Sequence, residues 1–335
     1  MKVWILHGEV PQGATPDEGD VLVQAAAVSR ALEKLGYEPV RKACSLNLAD
    51  VAALLQRERP VFAFNLVETI DGRGSLIHLV PSLLDALGIP YTGAGTEAIF
   101  LSSNKLLAKK VLRSGGIATP DWHILQETPE NPFSAGPYII KSVWEHASIG
   151  LDEDAVIYAH RWEQLPDAIA GRSQRLGGAC FAEAFIEGRE FNISLLAGDK
   201  EPEVLPPAEI RFDDYPPGRV RIVGYEAKWI EGSFSYRHTP RCFDFAPLDE
   251  CLLETLAEMA GSCWRLFNLR GYARVDFRVD RAGVPWVLEI NTNPCLSPDA
   301  GFAASAQRRG LQFEEIIQRI VGDIPAAGRR RNRIP

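Results

Sequence analysis

The sequence predicts an α/β protein that begins with a small domain built on a parallel sheet. Its 335 residues are more than one hydrophobic core usually holds, so two or three compact units are expected. Before Tyr91, apolar strands alternate with helices, which is the pattern of a parallel sheet. From Tyr91 onwards this alternation stops, which indicates that a different kind of unit follows.

The N-terminal alternation starts with the apolar segment KVWIL (2–6), which predicts a buried strand. The following helix has clear start signals, because Thr15 can cap it, Pro16 suits its first position and Glu18 completes a capping box. Gly36 ends it. PVFAFNL (60–66) predicts a second strand, and GSLIHLVPSLLDALGIP (74–90) contains a second helix.

The rest of the chain contains further strands and helices, and the boundaries between units are expected near residues 95 and 184. A helix is expected from Ser102 to Gly115. The other predicted segments are strands at 138–143, 180–186, 191–197 and 203–210 and helices at 162–175 and 248–268.

Composition and charge narrow the classes of partner and location. The net charge is −8, whereas proteins that bind nucleic acid or membrane surfaces usually carry a basic field, so neither partner is expected. No apolar run reaches the length of a membrane span, and the apolar start is too short for a signal peptide. Six cysteines without a CxxC pair favour reduced thiols. We therefore expect a cytoplasmic protein.

The basic segment GRRRNRIP (328–335) is predicted to be part of a flexible tail, with a functional basic patch as the alternative.

Two segments near the C-terminus, YARVDFRVD (272–280) and PWVLEIN (285–291), predict a β-hairpin. A loop of even length centred between Ala282 and Gly283 pairs Arg281 with Val284, and the same register pairs Asp276 with Glu289. On the second strand, this pattern predicts one face that is buried and one that carries polar groups. Trp286, Leu288 and Ile290 are expected on the buried face and Val287, Glu289 and Asn291 on the polar face.

The predicted pairing places two carboxylates opposite each other at about 5 Å, where they repel unless a cation lies between them. With the amide of Asn291, Asp276 and Glu289 form a set of oxygen ligands suited to Mg²⁺ or Mn²⁺. Arg274, on the same face as Asp276, could bind an anionic ligand. The alternative is a solvated hairpin with alternating charges.

The sequence contains no GxxxxGK[ST] loop, so phosphate recognition would depend on single lysines. Lys105 opens a helix, Lys141 ends an apolar strand and Lys228 lies within YEAKW. The alternative for each is a lysine that extends from a strand edge into solvent.

Taken together, a series of motifs resembles the ATP-grasp superfamily and, within it, the D-alanine–D-alanine ligase group. The resemblance covers residues 60–322. It implies a small N-terminal domain (1–95), two α+β subdomains that clasp ATP (96–183 and 184–322) and a tail (323–335). The motifs are NK (104–105), IIKS with EHASIG (139–150), AEAFIEGREFNISLL (182–196), YEAKW (225–229), ARVDF (273–277) and LEINTNP (288–294).

This resemblance implies an ATP-dependent ligase that joins a carboxylate to an amine through an acylphosphate. The cofactors would be ATP and Mg²⁺ or Mn²⁺, the partners small amino-acid-like substrates, and a homodimer is one assembly that it allows. The nucleotide-binding residues would be Lys105 and Lys141 at the phosphates, Glu183, Phe185 and Ile186 at the adenine, and Glu190 at the ribose.

The resemblance also implies roles in the chemistry. Ser148 would cover the phosphates, Lys228 would neutralise the γ-phosphate and Arg274 would stabilise the developing oxyanion. The metal ligands that it implies are Asp276, Glu289 and Asn291.

Several positions depart from the pattern of the group, mostly where it binds amino acids. Trp229 replaces a tyrosine, His146 replaces a glycine and Asp71 replaces a histidine. The hypothesis is therefore a ligase of this type whose substrates differ from D-alanine. The alternatives are a D-alanine–D-alanine ligase with a divergent pocket and a non-catalytic ATP-binding module.

Overall fold

A computed structural model describes residues 1–125, 133–146 and 148–325. Of the predicted tail, residues 326–335 lie outside these described ranges. The N-terminal part contains a parallel sheet of strand order β2–β1–β3 with helices around it, as the sequence predicts. Its elements are β1 (Lys2–Gly8), α1 (Pro16–Lys34), β2 (Glu38–Cys44), α2 (Leu48–Glu58), β3 (Ala63–Asn65) and α3 (Leu79–Leu87).

The capping box that the sequence predicts for α1 is formed. The backbone N–H of Thr15 donates to the Glu18 carboxylate at 2.9 Å. The sequence analysis missed β2 and α2. Most of β2 is half-buried or exposed, and it lies at the edge of its sheet, so it lacks the continuous apolar run by which the other strands are recognised.

Two helices and an antiparallel sheet follow. The helix predicted to begin near Ser102 is present and begins at Lys105, where the Asn104 side chain caps it. Asn104 also separates it from another helix that ends at Ser103, which the sequence analysis missed. The sheet has strand order β4–β7–β5–β6. The elements are α4 (Thr96–Ser103), α5 (Lys105–Ser114), β4 (Trp122–His123), β5 (Gly136–Ser142), β6 (Val156–Ala159), α6 (Gln164–Leu176) and β7 (Cys180–Ala184).

The third part is built on a larger antiparallel sheet of order β11–β10–β8–β12–β13, with β9 beside β8. Its apolar face packs against α9 and also against α4 and α5. Its elements are β8 (Gly188–Leu196), β9 (Glu203–Val204), β10 (Ala208–Ile210), α7 (Tyr225–Trp229), α8 (Phe234–Arg237), β11 (Arg241–Cys242), α9 (Glu250–Leu266), β12 (Tyr272–Asp280), β13 (Pro285–Asn291), α10 (Gly301–Arg308) and α11 (Phe313–Gly322).

The C-terminal helices pack against the N-terminal domain. Phe302 of α10 and Ile317 of α11 share a buried core with Val28 of α1 and Ile5 of β1. The N-terminal domain and helices α10 and α11 therefore share one hydrophobic core. The boundaries near residues 95 and 184 remain predictions. Within the ranges that the structure describes, no helix combines the length and apolar character needed to cross a membrane.

The β12–β13 hairpin pairs Asp276 with Glu289, as predicted, but by a different route. The predicted pairing of Arg281 with Val284 is wrong. Instead, the backbone N–H of Asp280 donates to Val284 O at 3.0 Å, and Gly283 adopts a φ of 82° in the resulting three-residue loop. The register is therefore shifted by one residue at the turn.

A β-bulge at Leu288 restores the register, because Phe277 pairs with Val287 and Asp276 with Glu289. Because the bulge adds one residue, the side chains of β13 before it point to the opposite face from the one that strict alternation predicts. Contrary to the prediction, Val287 is buried in the core, whereas Leu288 lines a cleft on the polar side. Trp286, also predicted to be buried, is half-buried and donates its indole N–H to Asp280 at 3.0 Å.

Replacing Gly188 with Ala is expected to lower the free energy of unfolding by about 1–3 kcal/mol. A Cβ at Gly188 would overlap the carbonyl oxygen of Val279, so β8 and β12 would have to separate. The urea midpoint measures this. Gly171→Ala in α6 is the control, since no atom lies within 4 Å of a Cβ there and alanine favours helix. Equal midpoints for Gly188→Ala and the wild type would contradict the prediction.

Candidate active site

A narrow cleft of about 70 Å³ separates the β4–β7–β5–β6 sheet from the larger C-terminal sheet. Of the six residues predicted to bind a nucleotide, five line this cleft, and the sixth, Lys105, lies outside it. The bulged residue Leu288 forms part of the opposite wall. The five residues are Lys141, Glu183, Phe185, Ile186 and Glu190.

Glu183 forms buried ion pairs with two lysines. It contacts Lys141 of the neighbouring strand and Lys109 of α5, whose Nζ lies 2.7 Å from the carboxylate. Burial opposes ionisation of Glu183, but the two ammonium groups outweigh it and lower its pKa. Burial lowers the pKa of Lys109 to about 8. Lys141 is therefore held by a carboxylate in the cleft where a nucleotide is predicted to bind.

Glu190, predicted to bind ribose, faces Arg278 of β12. The guanidinium of Arg278 lies 2.7 Å from the Glu190 carboxylate and packs over the rings of Phe185 and Phe212 at 5.4 Å each. Arg278 is 4% exposed. This arginine therefore fixes both the carboxylate and an aromatic wall of the cleft.

Glu289 lies close to a histidine and to the charges of two lysines. Its carboxylate is 3.4 Å from Nδ1 of His146, and Lys105 donates to the carbonyl oxygen of Glu145 in the same loop at 2.5 Å. Burial opposes ionisation of Glu289, but the charge of Lys105 and the hydrogen bond with His146 hold its pKa well below the ordinary value. Lys228 adds a further favourable charge. Glu289 is therefore ionised in its buried position.

Asp276, opposite Glu289, accepts two hydrogen bonds from Arg274, at 2.7 and 2.8 Å, and one from Asn192 at 2.9 Å. Arg274 is half-buried, and although desolvation lowers the pKa of its guanidinium, the charge of the neighbouring Asp276 outweighs this and raises it. The arginine predicted to bind an anion thus offsets the charge of the adjacent carboxylate in this structure.

The predicted metal ligands fit a hard divalent cation. Asp276 and Glu289 are paired across the hairpin, and both present carboxylate oxygens. The third, Asn291, pairs with Arg274, and its Oδ1 accepts the backbone N–H of Asn293 at 2.9 Å. Among the residues described, no group of three or more His, Cys, Asp or Glu side chains could hold a metal. The predicted set has only two such side chains.

Lys228 and Ser148 lie on the two segments that meet above Glu289. Burial lowers the pKa of Lys228, and the charge of Arg274 lowers it further. Ser148 donates to the carbonyl oxygen of Val223 at 2.8 Å, just before α7. Its φ of 60° is unusual for a residue other than glycine. The loop that carries Ser148 is therefore tied to the segment that leads to Lys228.

A second, larger cavity of about 290 Å³ lies between the N-terminal domain and a loop that contributes Glu145, His146 and Ile149. Glu68 borders it and accepts one hydrogen bond from Gln24 at 3.1 Å. Burial, together with the nearby charges of Asp20 and Asp17, raises the pKa of Glu68 to about 7, although the hydrogen bond from Gln24 opposes this shift. Across the cavity mouth, Tyr225 of α7 donates to Asp17 of α1 at 2.6 Å. His146 connects this cavity with Glu289.

Comparisons with known proteins place the chain in a family. The profile described as "D-ala D-ala ligase C-terminus" matches residues 112–322. A D-alanine–D-alanine ligase of Carboxydothermus hydrogenoformans is 32% identical over 333 residues, covering 96% of this chain and 97% of the relative. Another, from Synechococcus sp. (strain JA-2-3B'a(2-13)), is 31% identical over 335 residues, covering 96% and 93%.

The chain belongs to the D-alanine–D-alanine ligase family. It is therefore an ATP-dependent ligase that forms a carbon–nitrogen bond, as the motifs implied. The fold agrees, because the crystal structure of D-alanine–D-alanine ligase from Bacillus anthracis complexed with ATP superposes with a TM-score of 0.72. That chain is 22% identical, with 96% of this chain and 97% of that one covered. The predicted ATP-grasp fold is confirmed.

Several residues of this ligase site escaped the sequence analysis. Lys109 lies one residue before another lysine on an amphipathic helix, so nothing in the sequence marks it as buried. Asn192 reaches the site only because β8 pairs with β12. Glu68 follows the apolar segment PVFAFNL at the end of β3, where functional groups of parallel sheets gather, and that position could have indicated it.

We expect Glu68→Gln to be more stable than the wild type by roughly 1–3 kcal/mol at pH 8, with little difference at pH 4. The pKa of Glu68 is about 7 in the fold against an ordinary value of 4.5. As the pH rises from 4.5 to 7, the unfolded chain loses this proton first, so folding becomes less favourable. Glutamine does not titrate.

Urea unfolding at the two pH values tests this prediction. Glu33→Gln, near the C-terminal end of α1, is the control, because it makes the same substitution at a carboxylate that is exposed to solvent. A stability difference that does not change with pH would contradict the raised pKa of Glu68.

Proposed function

We propose that this protein uses ATP to activate the carboxylate of one amino acid and joins it to the amine of a second. The observation that carries this proposal is the position of Glu289. It faces Asp276 beside Arg274 and contacts His146, which lines the 290 Å³ cavity. A nucleotide in the cleft and an amino acid in the cavity would meet at this point.

The proposed reaction has two steps. A carboxylate oxygen of the first substrate attacks the γ-phosphorus of ATP, ADP leaves, and an acylphosphate forms. The amine of the second substrate then attacks the acyl carbon, phosphate leaves, and the nitrogen loses a proton as the amide forms. Both steps depend on positioning and on the neutralisation of charge, so no nucleophilic side chain is needed.

ATP would lie in the narrow cleft. Lys141 and Lys105 would contact its phosphates, and Glu190 would bind the ribose, while Arg278 keeps that carboxylate in place. The linker from Glu183 through Phe185 to Ile186 would border the adenine. A volume of about 70 Å³ is below that of common ligand pockets, so the two sheets would have to move apart to admit the nucleotide.

Asp276, Glu289 and Asn291 would hold Mg²⁺ or Mn²⁺, which when bound neutralises phosphate charge. Lys228 would approach the γ-phosphate from α7, and the guanidinium of Arg274 would stabilise the developing oxyanion. Burial lowers the pKa of Lys228, and an arriving phosphate would favour its charged form.

Ser148 would help to close the site. Its hydrogen bond to Val223 O connects the loop beside His146 with α7, which carries Lys228. A homodimer and a cytoplasmic location also remain predictions.

Glu289→Gln should abolish Mg²⁺-dependent ADP formation, because the amide keeps the size of the side chain but removes the charge that a divalent cation requires. A coupled assay of ADP release measures this. Glu254→Gln on α9 is the matched control, since that side chain is exposed. Undiminished turnover by Glu289→Gln would contradict the metal assignment.

Mg²⁺-ATP with D-alanine is the first substrate to test, because the relatives compared above are named D-alanine–D-alanine ligases. ADP together with D-alanyl-D-alanine, identified by mass spectrometry, would show that this chain performs the reaction of its relatives. ATP binding with little ADP would favour other amino acids. Binding without turnover on a full amino-acid panel would contradict the proposed function and favour a non-catalytic module.

A further inference from the structure

The 290 Å³ cavity has walls of two kinds. Apolar side chains on opposite sides provide surfaces for a hydrocarbon chain. Acidic side chains surround them, and no Lys or Arg side chain occurs among the described residues that line the cavity. The apolar residues are Val10, Pro11, Val21, Leu46 and Ile149, and the acidic residues are Glu9, Asp17, Glu18, Glu68, Asp71 and Glu145.

Some of these carboxylates already have partners. Glu18 accepts hydrogen bonds from Thr15 in the capping box, and Asp17 accepts the hydroxyl of Tyr225. These two carboxylates accept hydrogen bonds from neighbouring elements of the fold, and those contacts explain their position at the cavity without a ligand.

For Glu68, no comparable contact explains why a carboxylate lies at the cavity. Glu68 is half-buried, and its only hydrogen-bond donor within the described part of the chain is Gln24. No salt bridge joins it to a described lysine or arginine, and the more distant charge of Arg274 does not prevent its pKa from being raised. Glu9, at the cavity mouth, also forms no salt bridge there with a described residue. A buried carboxylate without a cation is costly unless a ligand supplies the charge.

We propose that the first substrate is an amino acid whose side chain carries a positive charge, such as lysine, ornithine or arginine. This inference rests on the proposed function and adds the class of substrate. The methylene groups would lie against the apolar walls, and the cationic end would reach Glu68 and Glu9. The reacting carboxylate would point towards Glu289 and Arg274, on the side where His146 lies.

The charge pattern argues against two other classes. An acidic amino acid would bring a second carboxylate among six others, in a cavity that no described Lys or Arg side chain lines. A small neutral amino acid such as alanine would leave Glu68 without a cation, because its one ammonium group lies beside the reacting carboxylate and it carries no second positive charge.

The test compares lysine and ornithine with norleucine, which has nearly the same shape as lysine without its charge. ADP release is measured with Mg²⁺-ATP for both enantiomers of each, alone and with D-alanine as the second substrate. We expect kcat/KM for lysine or ornithine to exceed that for norleucine at least tenfold. Equal or better turnover of norleucine or alanine would overturn the inference and leave the proposed function intact.

Two variants connect that preference with the cavity. Glu68→Gln and Glu9→Gln should each lower the ratio of kcat/KM for lysine to that for norleucine at least threefold, because each removes one negative charge and little volume. Glu33→Gln on α1, exposed and away from the cavity, should leave the ratio unchanged. A general loss of stability would lower both rates together and not the ratio. An unchanged ratio in both cavity variants would overturn the inference.

Calorimetric binding of lysine and of norleucine to the protein loaded with a non-hydrolysable ATP analogue tests the same point without turnover. Tighter binding of lysine supports the inference, whereas equal binding overturns it. If no amino acid yields ADP although ATP binds, the proposed function fails, and the binding measurement still decides the charge preference.

Discussion

The pairing of Asp276 with Glu289 across the last hairpin is the constraint on which the active site depends. Two carboxylates on directly opposed residues repel each other, and burial makes the repulsion more costly. The surrounding structure supplies the compensation. Arg274 takes both oxygens of Asp276, while Lys105, Lys228 and His146 offset Glu289. A divalent cation bound by the two carboxylates would offset their negative charge in the same way.

The bulge at Leu288 makes this pairing possible and connects it to the nucleotide cleft. Without the extra residue, the register set by the turn would place Glu289 opposite a neighbour of Asp276, and its side chain would point towards the core. The carbonyl oxygen of Val287 accepts the hydroxyl of Thr119, which in turn accepts from Lys109. One chain of buried polar contacts therefore runs from the bulge to Glu183.

The larger cavity exists because distant parts of the sequence fold together. Helices α10 and α11 complete the core of the N-terminal domain, and this holds β1 and α1 next to the loop of residues 145–149. The segment after β13 adds to the contact, since Ser297 donates to Asp20 at 2.7 Å. The acidic groups of α1 thus face a reaction centre that belongs to another part of the chain.

Much of the fold could be read from the sequence. The capping signals at Thr15 and Glu18 predicted α1, and apolar runs predicted β1, β5 and β8, because local propensity and packing agree there. The sequence analysis missed the edge strand β2, because most of its residues are half-buried or exposed and form no apolar run. It also missed the separation of α4 from α5 at Asn104, because the apolar pattern does not change there. The five predicted residues of the nucleotide cleft came from ordered motifs, and the fold brings them together.

By itself, the sequence determined which side chains alternate on β12 and therefore which carboxylates could meet. Only the tertiary structure decided that Val287 is buried and Leu288 is not, because a bulge is a matter of pairing with a partner strand. Lys109, Asn192 and Glu68 likewise acquire their roles from neighbours far along the chain. Periodicity describes one strand or helix at a time, whereas charge compensation and cavities arise only when several of them pack.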